Sequence, residues 1–261
     1  MGIFDCVDDT KLVSSVILKE IGQNLLALMQ DKYGLKLLTY LISPRNNRFF
    51  IKETVEFMAL GDKNEVSKKD NSIRKQELLN GIALEILRYL IPNMETLIFD
   101  EQKLGTSLFV LTALQETAKI AMESEEIRQA RNGCLLAISD LAAEEFVPFN
   151  DEKRLHLVEH AQAHFVVRML LHLDKTISRQ PDGVENTLSK ILVDRLTVEQ
   201  LSSWISCNKG AFCLLLLFES GVKEAETAVR QVVQFSGKRM DNYNFTGAKL
   251  LKSKVLNAKS K

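Results

Sequence analysis

The sequence predicts an all-α chain, an α-solenoid of about five degenerate helical repeats with insertions between them. Three observations carry that expectation. Only 12 Gly and 4 Pro interrupt 261 residues that are 46% hydrophobic, which favours long helices and short loops around a sizeable core. Apolar residues recur at helical spacing almost throughout, and strand-like alternation is nearly absent. One pattern also returns five times: a short apolar run, a polar turn, a small residue and a second apolar run.

The elements follow in order. Leu12, Val13, Val16, Ile17, Ile21 and Leu25 mark a first helix, and the turn QDKYG then opens a second apolar run ending at Ile42. Ser43 to Gln76 is the largest insertion; it holds a short amphipathic helix, Lys52 to Leu60. The polar tract 61–72, GDKNEVSKKDNS, reads as an exposed flexible loop on composition. Leu78, Leu79, Ile82, Ile86, Leu87 and Leu90 mark the next helix, and METLIFDEQKLGTSLFVLTAL repeats the pattern from Met94. Ala130, Cys134, Leu135, Ile138 and Leu141 precede the third copy, LHLVEHAQAHFVVRMLLHL from Leu155. Leu188, Ile191, Leu192 and Leu196 precede the fourth, LSSWISCNKGAFCLLLLF from Leu201. Val229, Val232 and Val233 precede the fifth, MDNYNFTGAKLLKSKVL from Met240. Smaller insertions fall at Ala142 to Leu155 and Asp174 to Asn186. Lys259 to Lys261 read as a frayed end.

The small residues are Gly34, Gly105, Ala163, Gly210 and Gly247. A polar turn residue caps the next helix, and a small side chain lets that helix start close to its neighbour. One helix pair cannot bury its own apolar stripe, so pairs stack. Successive small residues lie 71, 58, 47 and 37 positions apart, and only the last step is near the ~35 residues of common helical repeats. The excess sits in the insertions, and 1–261 reads as a single domain.

Lys plus Arg equals Asp plus Glu at 34 each, so net charge names no polyanionic partner and any basic patch must be local. Cys6, Cys134, Cys207 and Cys213 form no CxxC pair and read as thiols packed in helices of a reduced protein. MGIFDCVDDTKL lacks the basic and apolar regions of a signal peptide, and Cys6 at the sixth position leaves the M-G myristoylation pattern incomplete. The apolar run Ala211 to Phe218 is too short to cross a bilayer. No GxSxG, P-loop, HExxH or GxGxxG occurs, so no enzyme and no cofactor are expected.

LMQDKYGLKLLTYLISPR resembles the core of a PUF (pumilio) repeat. DCVDDTKLV, DKYGLKLLTYLISPR, SKKDNSIRKQELL, LVEHAQAHFVVRMLL and SSWISCNKGAFCLL are similar to the C-terminal half of Puf-A (penguin-like) proteins, nucleolar PUF relatives that carry the CPL region. The resemblance spans essentially the whole chain. It implies a right-handed solenoid of PUF-like repeats, here the C-terminal part of a longer array that begins with further repeats and a basic leader. It also implies a nuclear, nucleolar protein that binds structured RNA or DNA with little sequence preference. Ribosomal RNA, messenger RNA and pre-ribosomal assembly proteins are the implied partners. The implied processes are large-subunit ribosomal RNA maturation and translational repression, and the chain is expected to act as a monomer away from membranes.

A PUF repeat reads one base through side chains just after the small residue. The corresponding sets are Leu35, Lys36, Thr39; Thr106, Ser107, Val110; His164, Phe165, Arg168; Ala211, Phe212, Leu215; and Ala248, Lys249, Lys252. None ends in Gln or Glu, the groups that match a base edge, so base-by-base readout is not expected. Lys36, Arg168, Lys249 and Lys252 instead suit phosphates, which position without specifying. Lys32, Lys103 and Lys209 sit in the turns and would line one rim, with Tyr33 a stacking candidate. His156, His160 and His164 recur every fourth residue, but His160 holds the turn position, so capping is preferred to metal binding. Trp204 and Phe212 read as core. The rival reading is a scaffold that docks assembly proteins, favoured by neutral net charge and apolar reader positions such as Leu35, Phe212 and Leu215.

Overall fold

The computed structural model describes residues 1–63, 67–102, 104–148 and 154–258, and for 63, 104 and 238 the backbone alone. Among the described residues the chain is helical without strands. The helices are α1 (Gly2–Cys6), α2 (Thr10–Val13), α3 (Lys19–Gln23), α4 (Leu25–Gln30), α5 (Lys32–Ile42), α6 (Lys52–Ala59), α7 (Asn71–Ile98) and α8 (Leu104–Ala121). They continue as α9 (Glu125–Ala142), α10 (Ala161–Ile177), α11 (Leu188–Arg195), α12 (Val198–Ser203), α13 (Asn208–Phe218), α14 (Lys223–Met240) and α15 (Thr246–Asn257). The expected frayed end, Lys259 to Lys261, lies outside the described residues.

The sequence predicts one domain, but contacts group the chain into two compact units, 1–93 with 108–131, and 94–107 with 132–261. Repeat arrays behave this way because each helix pair packs chiefly on its neighbours.

In the first unit, α2 and α3 are joined by a π-helical stretch, Ser14–Leu18, which widens the single helix expected from Leu12 to Leu25. Gly81 of α7 makes room for it: a Cβ there would lie 2.8 Å from Ser14 Oγ. The α4–α5 hairpin realises the predicted turn. The Asp31 carboxylate accepts the N–H groups of Tyr33 (2.9 Å) and Gly34 (2.6 Å), capping α5. A Cβ on Gly34 would stand 2.5 Å from the Leu28 carbonyl oxygen, so only glycine lets the two helices meet this closely. Leu25, Met29, Leu38, Leu41 and Ile42 are buried as a result.

Of the tract 61–72, expected as a flexible loop, 64–66 lie outside the described residues; the described residues on either side make hydrogen bonds. Gly61 and Asp62 belong to a 3-10 turn, and Asp62 receives both terminal nitrogens of Arg45 at 2.6 and 2.8 Å. Asp8 accepts from Ser67 Oγ (2.8 Å), Lys68 N (2.7 Å) and Lys69 N (3.2 Å). The buried Arg74 donates to Asp8 (2.7 Å) and to Ser67 Oγ (2.6 Å), and Arg74 and these contacts hold the Asp8 carboxyl far below its usual range. Arg45 also donates to the buried Asp5 at 3.0 Å, and Tyr40 OH donates to the same carboxylate. The SPR and SKKD motifs thus bind the N-terminus, the α5 end and the insertion into one polar network.

In the second unit, α10, α13 and α15 pack side by side, and α11, α12 and α14 form the layer behind them. The same cap recurs here. His160 Nδ1 accepts Ala163 N–H at 3.2 Å, and Cys207 Sγ accepts Gly210 N–H at 3.2 Å. Asp31, His160 and Cys207 each stand three positions before the small residue, which is the physical content of the repeated pattern. At Gly210 a Cβ would meet the Trp204 carbonyl oxygen at 2.3 Å. The start of α15 is held differently: Gly247 N–H donates to Asn208 Oδ1 of α13 at 2.8 Å. The insertion after α10 is fixed by the buried Asp174, which accepts Ser189 N and Ser189 Oγ, both at 2.7 Å. Cys134, Cys207 and Cys213 are buried and Cys6 is exposed; burial pushes the Cys213 thiol up to about 12.

Candidate nucleic-acid interface

The five expected reader sets do not all face solvent. Thr106, Ser107 and Val110 are at most 4% exposed, so α8 presents no reader at all. The side of α8 that faces water runs through Gly105, Leu108, Gln115, Glu116 and Lys119, and the three reader positions lie on the opposite, buried side. On α5, Thr39 is buried and its hydroxyl donates to Leu35 O at 2.8 Å, while Lys36 is exposed.

Within the first unit, Lys32, Tyr33 and Lys36 occupy the first turns of α5, all exposed; Tyr33 is 73% exposed. Lys103 lies outside the described residues.

Within the second unit, the remaining candidates lie on adjacent helices. Arg168 of α10 is exposed, with its guanidinium 5.8 Å from the centre of the Phe212 ring on α13. Lys249 of α15 is exposed. Two candidates are already engaged. Lys209 donates to the Glu159 carbonyl oxygen at 2.7 Å, fastening the start of α13 to the turn before α10. Lys252 pairs with Asp241. Electrostatics link the group: burial, then Lys209 and Arg168, push the His164 imidazole down to about 4, so it is neutral near pH 7.

These helices also carry half-buried apolar residues. Phe212, Leu215 and Leu216 on α13, with Phe165 and Met169 on α10, are only half-buried. Phe212 is therefore not the core residue expected from its position, whereas Trp204, 1% exposed, is. His160 is the turn cap that the sequence suggests, and its Nε2 lies 3.3 Å from Glu101.

Three residues of these helices escape a repeat-by-repeat reading. Glu219, at the end of α13, contacts Lys175 of α10 at 2.7 Å and Lys254 of α15 at 3.3 Å. Lys175 follows Arg168 by seven residues and Glu219 follows Phe212 by seven, so both pairs lie on the same helix faces, two turns on. The i, i+7 spacing puts Lys175 and Glu219 on those faces, but it pairs neither with the other nor with Lys254.

The chain spans about a third of the length of the curated relatives it matches. Pumilio domain-containing protein 12 of Caenorhabditis elegans is 33% identical over 256 residues, 98% of this chain and 32% of that protein. Human Pumilio homolog 3 is 33% identical over 234 residues, 90% of this chain and 34% of that protein. The crystal structure of human Puf-A matches the fold with a TM-score of 0.79 and 31% identity, covering 96% of this chain and 46% of that one. Human Puf-A in complex with DNA matches at 0.77 with 31% identity, covering 96% and 45%. The CPL (NUC119) domain family matches residues 30–182, more than half of the chain. The chain therefore belongs to the CPL (NUC119) domain family, among the pumilio-related proteins that resemble Puf-A.

Proposed function

We propose that this chain binds structured RNA or DNA through the phosphate backbone, without reading sequence, in large-subunit ribosomal RNA maturation in the nucleolus. The observation that carries the reading is the packed set α10, α13 and α15, on which Arg168 and Lys249 are exposed and make no ion pair among the described residues. Cations without an edge-reading partner suit phosphates. The complex of human Puf-A with DNA supports nucleic acid as the ligand class.

A steep fall of affinity with salt tests the proposal. Each phosphate contact contributes roughly 0.7–0.9 to the slope of log K against log salt. Arg168→Ala with Lys249→Ala should lower that slope by about 1.5. Absence of binding to an RNA hairpin at low salt would overturn the reading.

The half-exposed apolar residues Phe165, Met169, Phe212, Leu215 and Leu216 favour a second reading, a docking surface for ribosome-assembly proteins. On that reading Phe212→Ala and Leu215→Ala weaken capture of a pre-ribosomal protein and leave the salt slope of RNA binding unchanged.

A further inference from the structure

We propose that Lys175 and Lys254 form a further phosphate-binding site, which the chain keeps closed with its own Glu219 carboxylate. This rests on the backbone-binding reading of the same three helices.

The geometry is that of a clamp. Lys175 reaches Glu219 Oε2 at 2.7 Å from α10, and Lys254 reaches Oε1 at 3.3 Å from α15. The carboxylate comes from the end of α13, the helix between them. Two ammonium groups from separate helices converge on two oxygens of one anion, as they would on two oxygens of a phosphodiester. The Lys175 and Glu219 side chains are each 29% exposed, which reduces solvent screening of the pair, and the ammonium groups hold the Glu219 carboxyl below its usual range.

Its place is what makes it a binding site and not only a brace. Seven residues separate Lys175 from Arg168 on α10, about 10 Å at the helical rise and nearly the same angle around the axis. That distance is short enough for one strand held at Arg168 to present a further phosphate to Lys175. A backbone held at Arg168 and running along α10 therefore arrives at the clamp. With Glu219 in place the cluster offers one net positive charge; with Glu219 displaced or neutralised it offers two. The carboxylate sets where the track ends and how much salt the complex tolerates.

Glu219→Gln, nearly isosteric, is the direct test, read by fluorescence anisotropy with a labelled RNA hairpin from roughly 50 to 300 mM salt. The affinity at the lowest salt should rise about fivefold to tenfold and the salt slope should steepen by about one. Adding Lys175→Ala and Lys254→Ala to Glu219→Gln should return the slope to the wild-type value. Glu224→Gln, which alters net charge equally but lies exposed on α14, should change neither quantity. Lys175→Ala in the otherwise wild-type chain gives a test that does not depend on the folding of the Glu219 variant. It removes the one net positive charge of the closed cluster and should weaken binding, but less than Arg168→Ala, whose guanidinium is not paired with a carboxylate among the described residues. If Glu219→Gln matches wild type while Arg168→Ala still weakens binding, the clamp is only a structural brace and the proposal is overturned. If neither wild type nor Glu219→Gln binds RNA at low salt, the backbone-binding reading falls together with it.

Discussion

Arg74 and Asp8, 66 residues apart, are joined at 2.7 Å in a site where the guanidinium is only 2% exposed. The pair closes the network that runs through Ser67 and the Lys68 and Lys69 backbone, so the start of the chain and the insertion before α7 are ordered by one buried cation. Arg74→Ala removes that cation and strands Asp8. A loss of about 1–3 kcal/mol is expected, chiefly because the buried Asp5 carbonyl oxygen loses its donor, seen as a lower urea midpoint at unchanged slope. A stability change under about 0.5 kcal/mol, the level of an ordinary surface substitution, would show that the network is incidental.

Two glycines give opposite expectations. Gly34→Val places carbon 2.5 Å from the Leu28 carbonyl oxygen, against backbone that cannot swing aside. About 3 kcal/mol of destabilisation follows from overpacking of this kind. Gly237, inside α14, would meet nothing within 4 Å if it carried a methyl group. Gly237→Ala is therefore expected to stabilise by about 0.5–1 kcal/mol through helix propensity and the restricted unfolded chain. Thermal melts of the two variants should move in opposite directions.

Acid should weaken the fold before most carboxylates titrate. Burial pushes the His156 imidazole down to about 4, from an ordinary value of 6.5. The unfolded chain then binds the proton first, so the contribution is complete above pH 6.5 and is lost as pH falls towards 4. Between about pH 7.5 and 4.5 the loss from this group is roughly 2–3 kcal/mol. His164 adds a contribution of the same sign. Denaturation at the two pH values should show a smaller difference for His156→Gln than for wild type. Equal differences would place the acid sensitivity elsewhere.

Lys209 and Arg168 separate structural from binding cations. Lys209 already donates to the Glu159 carbonyl oxygen at 2.7 Å. Lys209→Ala should lower stability by about 1 kcal/mol and change RNA affinity little. Arg168→Ala should do the reverse. Melting curves and salt titrations on both variants check the assignment.

The hairpin turns are legible in the sequence because their chemistry is local. Asp31, His160 and Cys207 cap the N–H three residues later, and glycine at positions 34 and 210 is forced by one nearby carbonyl. The burial of Thr106, Ser107 and Val110 does not follow from their register in the repeat: α8 turns the side through Gly105, Leu108, Gln115, Glu116 and Lys119 to water, and the reader positions lie opposite. Arg74, Arg45 and Glu219 cannot be placed from spacing alone. Their partners lie 66, 40 and 44 residues away or come from a third helix, and only packing brings them together.

The buried positions of α8 also set a limit on engineering. Restoring a base-reading set on α13 or α15 asks for new side chains at half-buried or exposed positions such as Phe212 and Lys249. At Val110, wholly enclosed, the same exchange would put an unsatisfied amide into close-packed hydrocarbon. No series of single substitutions at those three sites can turn α8 back into a reader without first unmaking the core around it.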